Sequence, residues 1–541
     1  MSDADAVDSG RDLSALDSSG TPWDLIVVGG GITGAGVLRE AARFGYRALL
    51  VEQRDFTWGT SSRSSKMVHG GLRYLASGEF GLTRDAVRER ERMLREAPGL
   101  VDNLYYIMPH FRKQFPGPKL FGLLLRVYDW MAGRRTRRFF PGDSVLRWVP
   151  GLRRQGLLGG TRFSDAVTDD SRLVLRILQE AVAAGGQAVN YVAADALEPQ
   201  QSGLIRVRLS DQAGDRAGHS WEIQARSVVH ATGAWTDRLR QTLGAGQVIR
   251  PLRGSHLIVP FWRLPVAATL SLIHPDDRRP VFVYPWEGVT VIGTTDLDHA
   301  GDLQREAVLD GQELDYLLEA ANHAFPDARI DARDVISTWS GVRPVVSEGG
   351  TRKRSPSSEK REHVIWDDQG VISVAGGKLT TFRLIAREVL EKAQPYLPEK
   401  QLPNRAKGED KDQVFASAPL LSRPAGITAR QWYRLRGRYG ARLAEVLEAG
   451  PLTPVGQTDT LLAELIWSAR NESIVHLDDL LLRRTRLGLL LPRAGEHHMA
   501  LIRRHCQPAL GWSDTQWDAE VERYLGIWRD YYSLPPEQQE G

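Results

Sequence analysis

Apolar positions come in short unbroken runs early in the chain and at helical spacing late in it, and this change of period divides the sequence. Leu25-Ile-Val-Val28 reads as a buried strand, residues 29–36 as a glycine-rich turn leading into a helix, and Ala48-Leu-Leu-Val51 as a second strand behind it. That order and length predict a βαβ unit. Two later runs, Ser227-Val-Val-His-Ala-Thr-Gly233 and Val371-Ile-Ser-Val-Ala-Gly-Gly377, also end in glycine before helix-like sequence, so their ends are expected along the same sheet edge. Between them, His256-Leu-Ile-Val259, Val281-Phe-Val-Tyr284 and Val289-Thr-Val-Ile292 have a more alternating character, which predicts an inserted, mainly antiparallel sheet. Residues 399–414 are polar, with Pro and Lys, as linkers are. Beyond them, 428–448, 459–470, 477–490 and 513–532 carry Leu, Trp and Tyr at helical spacing and predict a helical cap. Residues 1–22, rich in Asp and Ser and without the basic start and apolar run of a signal peptide, read as a disordered tail.

Composition narrows the class. A chain of 541 residues exceeds one ordinary domain. With 42% hydrophobic and 25% charged residues it should fold rather than remain disordered. The net charge of +3, from 70 basic and 67 acidic residues, provides no general attraction to nucleic acid, which is not an expected partner. The single cysteine, Cys506, excludes an internal disulfide and a cysteine-built zinc or iron–sulfur site, and no metal site is expected. No stretch reaches the roughly 18 apolar residues of a membrane-spanning helix.

Gly29, Gly31 and Gly34 form G-x-G-x-x-G directly between a strand and a helix, with Thr33 inside the turn. Without Cβ atoms such a loop turns sharply and lets a pyrophosphate reach the amides of a helix N-terminus. Glu52 ends the second strand, where a carboxylate accepts hydrogen bonds from an adenosine ribose. These residues predict a dinucleotide without choosing between NAD and FAD. The next block, Gly59-Thr-Ser-Ser-Arg-Ser-Ser-Lys-Met-Val-His-Gly-Gly-Leu-Arg-Tyr74, is too polar for a core helix, and its Gly70-Gly71 pair lets backbone approach a ring.

That block, the βαβ unit, Gly254-Ser-His256, Gly293-Thr-Thr-Asp296, Ser340-Gly-Val-Arg-Pro344 and Gly376-Gly-Lys-Leu-Thr-Thr-Phe-Arg383 follow one another in an order and spacing that resembles FAD-dependent glycerol-3-phosphate dehydrogenases. Leu477-Asp-Asp-Leu-Leu-Leu-Arg-Arg-Thr-Arg-Leu-Gly488 resembles the family's C-terminal helical domain. The resemblance implies an α/β fold: a Rossmann-like FAD domain of the D-amino-acid-oxidase type, an antiparallel substrate domain and a C-terminal helical domain. The implied boundaries are 23–398 for the FAD domain, with substrate parts at about 99–174 and 253–340, then the linker and a cap over 415–541. The implied reaction is oxidation of sn-glycerol 3-phosphate to dihydroxyacetone phosphate, with hydride passing to flavin and electrons to a membrane quinone.

A phosphorylated alcohol needs cations for its dianion and a group to accept the hydroxyl proton. By resemblance, Arg73 and Tyr74 are phosphate-side contacts, Arg343 and Lys378 lie beside the C2 hydroxyl and the flavin, and Asp277 matches an acidic substrate-side position. His69 and His256 are the two candidates for the proton acceptor. Thr60, Ser61, Ser62, Lys66, Gly233, Trp235, Gly377, Lys378, Leu379 and Thr380 are assigned to the flavin. Arg63 and Ala375 depart from the residues common in relatives at these places. Within 110–140, Arg112, Lys113, Lys119, Arg126, Arg134, Arg135, Arg137 and Arg138 interleave with aromatic and aliphatic residues, a mixture that suits an anionic membrane surface. The expected location is therefore cytoplasmic and peripheral on the inner membrane, with a homodimer as a candidate assembly. An oxidase using O₂ shares the site and remains open, as does a related amine or amino-acid oxidase, although the cations Arg73, Arg343 and Lys378 speak against the latter.

Overall fold

The computed structural model describes residues 11–17, 20–76, 78–213, 218–242, 244, 246–347, 363–400 and 413–536. Two sheets and a helical cap make up the chain. In the first sheet, strands Val371–Ala375, Ser220–His230, Trp23–Val28, Ala48–Val51 and Gln187–Val189 lie side by side and parallel; residues 25–28, Ala48–Val51, residues 227–230 and Val371–Ala375 are buried on both faces, which is why they read as continuous apolar runs. Their carboxyl ends bring Gly29, Glu52, Asn190, Ala231 and Gly376 to one edge although the chain visits them far apart. Helix Ile32–Arg43 packs between Asp170–Ala183 and Phe382–Ala393 on one face. On the other, Val192–Pro199 and Ile205–Asp211 extend the first half of Ser220–His230 as an antiparallel ribbon.

The ribbon has an occupant at its edge that the chain's polar start conceals. Residues 11–17, expected within a disordered tail, hold a short helix, Ser14–Asp17, whose Ala15 and Leu16 join the core beneath the ribbon. Arg11 anchors it by donating to Asp211 at 2.7 Å and to the carbonyls of Asn190 and Tyr191 at 2.9 Å. Two apolar side chains and one paired arginine suffice to dock a segment that composition alone assigns to solvent. Most of the expected linker falls on 401–412, outside the described residues.

The second sheet runs Leu297–Asp298, Ile249–Pro260, Val289–Gly293, Pro280–Trp286, Thr269–Ile273, Val101–Phe111, Leu157–Thr168 and Met67–Val68, with Ser337–Val346 along Ile249–Pro260 and Arg138–Pro141 along Leu157–Thr168. All its pairs are antiparallel except that between Thr269–Ile273 and Val101–Phe111. Alternation sorts its faces: Leu257, Val259, Val281 and Val283 pack under helix Gly311–Ala324, while Ile258, Tyr284 and Trp286 face the cap.

The cap is built from helices that include Ala429–Tyr439, Leu462–Asn471, Met499–Leu510 and Asp514–Tyr531. It has no separate hydrophobic interior at this face, because Leu465, Leu481, Trp517 and Tyr524 share one core with Tyr106, Trp286 and Trp339 of the sheet. Helix Ala429–Tyr439 approaches the loop before Val101 so closely that a Cβ on Gly437 would fall 2.4 Å from the Gly99 carbonyl carbon. Gly437→Ala is therefore expected to overpack the contact and destabilise by ~1–3 kcal/mol, read as a lower denaturant midpoint. Gly526→Ala, in a half-buried helix position with open space around it, should leave that midpoint unchanged or raise it slightly.

Candidate active site

The nucleotide cradle follows from three glycines with different duties. Gly29 takes φ +115° where the chain leaves its strand, and a Cβ there would fall 2.6 Å from the Ala231 oxygen. A Cβ on Gly34 would lie 1.9 Å from the Gly29 oxygen, so this position sets how closely the helix meets its strand. Gly31 caps the helix and leaves its first amides facing the sheet edge, where the Ile32 N–H donates to the Ser61 hydroxyl at 2.9 Å. Thr33 lies half-buried in the same turn. Glu52 accepts from the amides of Gly30 at 2.6 Å and Arg54 at 2.9 Å, yet burial pushes its pKa above the ordinary carboxylate value. Amide donors without Cβ shielding beside a half-buried carboxylate fit a dinucleotide: the helix end suits the pyrophosphate and Glu52 the ribose.

The serine block joins this cradle to the second sheet. Thr60–Ser62 is a tight helical turn in which the Thr60 hydroxyl donates to the Val342 carbonyl, next to Arg343. Ser62 is buried, and its carbonyl accepts from Lys66 and from Arg486 of the cap, both at 3.0 Å. Lys66 is fully enclosed: its ammonium also bonds Asp170 at 3.0 Å and stands over the rings of Trp286 and Trp339. Burial and the neighbouring Arg486 bring its pKa down to about 8. Arg63 turns away from the cradle to Glu306 at 2.7 Å and the Tyr532 hydroxyl at 3.0 Å. At the edge of this block, Trp58, Thr60, Arg63, Trp235, Arg305 and Val342 line a recess, with the indole of Trp235 donating to the Leu303 carbonyl. Gly233, at φ +60°, starts the turn that carries Trp235.

Two groups of candidate residues assemble further along. Gly377, at φ +90°, leads into Lys378 and the turn Leu379–Thr381, where the Thr380 hydroxyl donates to the His69 carbonyl at 3.1 Å. The Lys378 ammonium stands 3.4 Å from the centre of the Tyr74 ring. His69, Tyr74, Lys378 and Thr380 are thus brought together from two ends of the chain. Arg73 occupies the same short helix, Leu72–Ala76, but its side chain lies outside what is described.

The second group surrounds His256, which is 2% exposed and stacked on Trp339 with ring centres 4.6 Å apart. Its Nε2 shares a hydrogen bond with the Ser65 hydroxyl at 2.9 Å, and Gly293 lies flat against the ring, leaving no room for a Cβ. Burial, with the cations Lys66 and Arg343 nearby, holds its pKa far below the ordinary imidazole value, so the ring is neutral. Arg343 donates to Asp296 at 3.2 Å and to the Thr295 carbonyl at 3.4 Å. Asp277 is more distant in this network. It lies in an exposed turn, bonded to Arg279 at 2.6 Å, and Arg279 in turn holds the Asp296 carbonyl at 2.8 Å.

Sequence reasoning passed over Ser65, Asp296, Trp339 and Arg486. Ser65 and Asp296 stood inside motifs that were already noted, so a search for side-chain partners within those motifs would have found them. Trp339 precedes Ser340-Gly-Val-Arg-Pro344 in an ordinary alternating strand, and Arg486 carries no local signal of contact with the serine block.

Comparison with known proteins accounts for this arrangement. Residues 24–395 match the family described as FAD dependent oxidoreductase, and 404–517 match the C-terminal domain of alpha-glycerophosphate oxidase. The chain is 32% identical over 523 residues to glycerol-3-phosphate dehydrogenase 2 of Mycobacterium tuberculosis, covering 93% of this chain and 87% of that protein. It is 33% identical over 395 residues to the aerobic glycerol-3-phosphate dehydrogenase of Bacillus subtilis, covering 72% and 70%. The crystal structure of the glycerol-3-phosphate dehydrogenase from Bacillus halodurans, complexed with FAD, superposes with a TM-score of 0.73 at 27% identity over 95% of this chain and 97% of that one. Its cofactor is FAD, and with the α/β FAD domain, antiparallel sheet and helical cap all matched, the chain belongs to the family of FAD-dependent glycerol-3-phosphate dehydrogenases.

Proposed function

We propose that this protein oxidises sn-glycerol 3-phosphate to dihydroxyacetone phosphate and passes the electrons to a membrane quinone. The observation that supports the reading is that the block 59–74 takes part in two clusters, one of Lys378 with Tyr74 and Thr380 with His69, the other of neutral His256 with Ser65 and the nearby Arg343. FAD, when bound, supplies the acceptor for the hydride leaving C2. The chain's own residues do the rest. Arg73 and Tyr74 hold the phosphate end, where an arginine fork matches a phosphate dianion. His256 takes the C2 hydroxyl proton as a neutral imidazole oriented by Ser65 and Trp339. Arg343 and Lys378 stabilise the negative charge that builds on that oxygen as its proton departs; Arg343, with Lys66, also lowers the basicity of His256.

The surface suits a membrane acceptor. Helix Pro118–Ala132 buries Phe121, Leu125 and Tyr128 and turns Lys119, Leu120, Leu123, Arg126 and Trp130 outward, with Phe115, Arg135, Arg138 and Phe139 exposed alongside. Arg134 and Arg137 pair with Glu91 and Asp129 and contribute less. Large apolar side chains between cations fit an anionic bilayer interface. Among the described residues no helix is long and apolar enough to cross a membrane, so the binding is interfacial in this reading.

Anaerobic titration with sn-glycerol 3-phosphate should bleach the flavin, and reoxidation should then be faster with a quinone analogue than with oxygen. Failure to bleach would remove the substrate assignment, and prompt peroxide formation would favour an oxidase. Arg343→Ala and Lys378→Ala are expected to retain FAD while slowing substrate-driven reduction by about 10²–10³-fold; stopped-flow rates equal to the unaltered protein's would exclude both roles. FAD affinity should weaken as pH falls through the raised pKa of Glu52, because ribose hydroxyls donate to its ionised form. Glu52→Gln is expected to bind FAD about ten- to a hundredfold less tightly and without that acid dependence, checked by flavin release across pH. Neutralising Lys119, Arg126, Arg135 and Arg138 together should reduce co-sedimentation with anionic liposomes; an unchanged bound fraction would eliminate this face.

A further inference from the structure

The segment Leu477-Asp-Asp-Leu-Leu-Leu-Arg-Arg-Thr-Arg-Leu-Gly488 has no place in the chemistry proposed above, yet Arg483, Arg484 and Arg486 are each no more than 2% exposed. Three buried guanidinium groups so close in sequence need a reason, because each must be fully paired to be tolerated. The backbone here is unusual. Asp479–Arg484 is a π-helical turn, closed by Thr485 donating its amide and hydroxyl to the Leu480 carbonyl at 3.0 and 2.8 Å. Arg486 then takes φ +64°, a left-handed conformation uncommon for any residue with a side chain. In a regular α-helix these arginines would fan out around the axis at about 100° per residue. The widened turn and the left-handed residue instead deliver all three to the FAD domain.

Their partners bracket the cofactor block. Arg484 forks onto the Asp55 carboxylate with both contacts at 2.7 Å, and Arg483 reaches the same group at 2.5 Å. Asp55 follows Glu52 by three residues. Arg486 donates to Asp169 at 3.0 Å, to Asp170, and to the carbonyl of Ser62 at 3.0 Å. Ser62 adjoins Ser61, whose hydroxyl receives the first amide of the nucleotide-binding helix. Lys66 grips the same Ser62 carbonyl and Asp170 from within the block. The cap's Tyr532 accepts from Arg63. Two points within the segment 52–66, Asp55 and Ser62, are therefore held by side chains from more than 400 residues later in the chain.

We propose that Arg486, supported by Arg483 and Arg484, is a positioning residue for FAD: the cap holds segment 55–66 in the shape that receives the cofactor, so cap docking and FAD binding stabilise each other. Arg486 acts through Ser62 and Asp170. By linkage, whatever the docked cap adds to FAD affinity, bound FAD returns to cap docking. The inference rests on reading 59–66 as a cofactor loop and is independent of substrate and electron acceptor.

The test uses full-length apoprotein titrated with FAD by flavin fluorescence. Arg486→Gln is expected to weaken binding by about tenfold or more, and Arg486→Lys to recover part of the loss, with circular dichroism confirming the fold. In the unaltered protein, amide hydrogen exchange over 479–490 should accelerate when FAD is removed. Ser61→Ala examines the loop reading separately: wild-type FAD affinity in that variant would overturn the loop assignment and the proposal with it. If Ser61→Ala loosens FAD while folded Arg486→Gln does not, or if exchange over 479–490 is the same with and without FAD, the loop stands and the clamp is overturned. Should Arg486→Gln fail to fold, the exchange measurement on the unaltered protein decides.

Discussion

A carboxylate taken out of water must meet a cation or surrender its charge, and Asp55, Asp169 and Asp170 lie on the FAD domain with at most 2% exposure. Each finds an arginine of the cap: Arg483 and Arg484 on Asp55, Arg438 and Arg486 on Asp169, Arg486 again on Asp170. Arg172 reverses the direction, reaching from the FAD domain to Glu472 at 2.5 Å. Deleting one partner while the cap stays docked would leave a charge buried and unmatched, which is far more unfavourable than losing an exposed pair. The apolar core that the cap shares with the second sheet points the same way. The helical cap is therefore part of the folded unit, and its arginines fix Asp55 and the Ser62 carbonyl on the FAD domain.

Around His256 the same electrostatics run in the opposite sense. Lys66 and Arg343 surround a ring that burial already disfavours as a cation, so neutrality is built in by position rather than by a carboxylate partner. Arg343 keeps its orientation through Asp296, and Asp296 is steadied by Arg279, which Asp277 holds from the exposed turn. The acidic residues here thus serve to aim cations, Asp296 holding Arg343 and Asp170 holding Lys66. Steric exclusion completes the arrangement. Gly293 admits the His256 ring, and Gly70 fits beneath Tyr128, whose hydroxyl accepts the Gly70 amide at 2.9 Å.

Much of this could be read in advance from local pattern. The cradle at Gly29–Gly34 and Glu52 was legible because strand, turn and helix are contiguous and the conformational demands on glycine are local. The parallel strands were legible as apolar runs, and the motif 59–74 as a block too polar for a core helix, although Ser62, Arg63 and Lys66 are buried in it by pairing. What escaped depended on distant partners. Lys66, assigned to the flavin by its position in the serine block, has its ammonium in a buried bond to Asp170. Arg11 gives residues 11–17 a place on the sheet, although the composition of the first 22 residues suggests only solvent.

The sequence by itself determined the βαβ unit and the division into parallel sheet, antiparallel sheet and helical cap, which rest on spacing between near neighbours, and the resemblance that named FAD, which rests on the order of motifs along the chain. Only the tertiary structure decided which cations are held in buried pairs, where Asp277 stands relative to Arg343, and that the cap's arginines reach Asp55 and the Ser62 carbonyl. The physical reason is the range of the interactions: periodicity and backbone sterics act over a few residues, whereas the pairing of a buried charge depends on whatever the fold brings within about 3 Å.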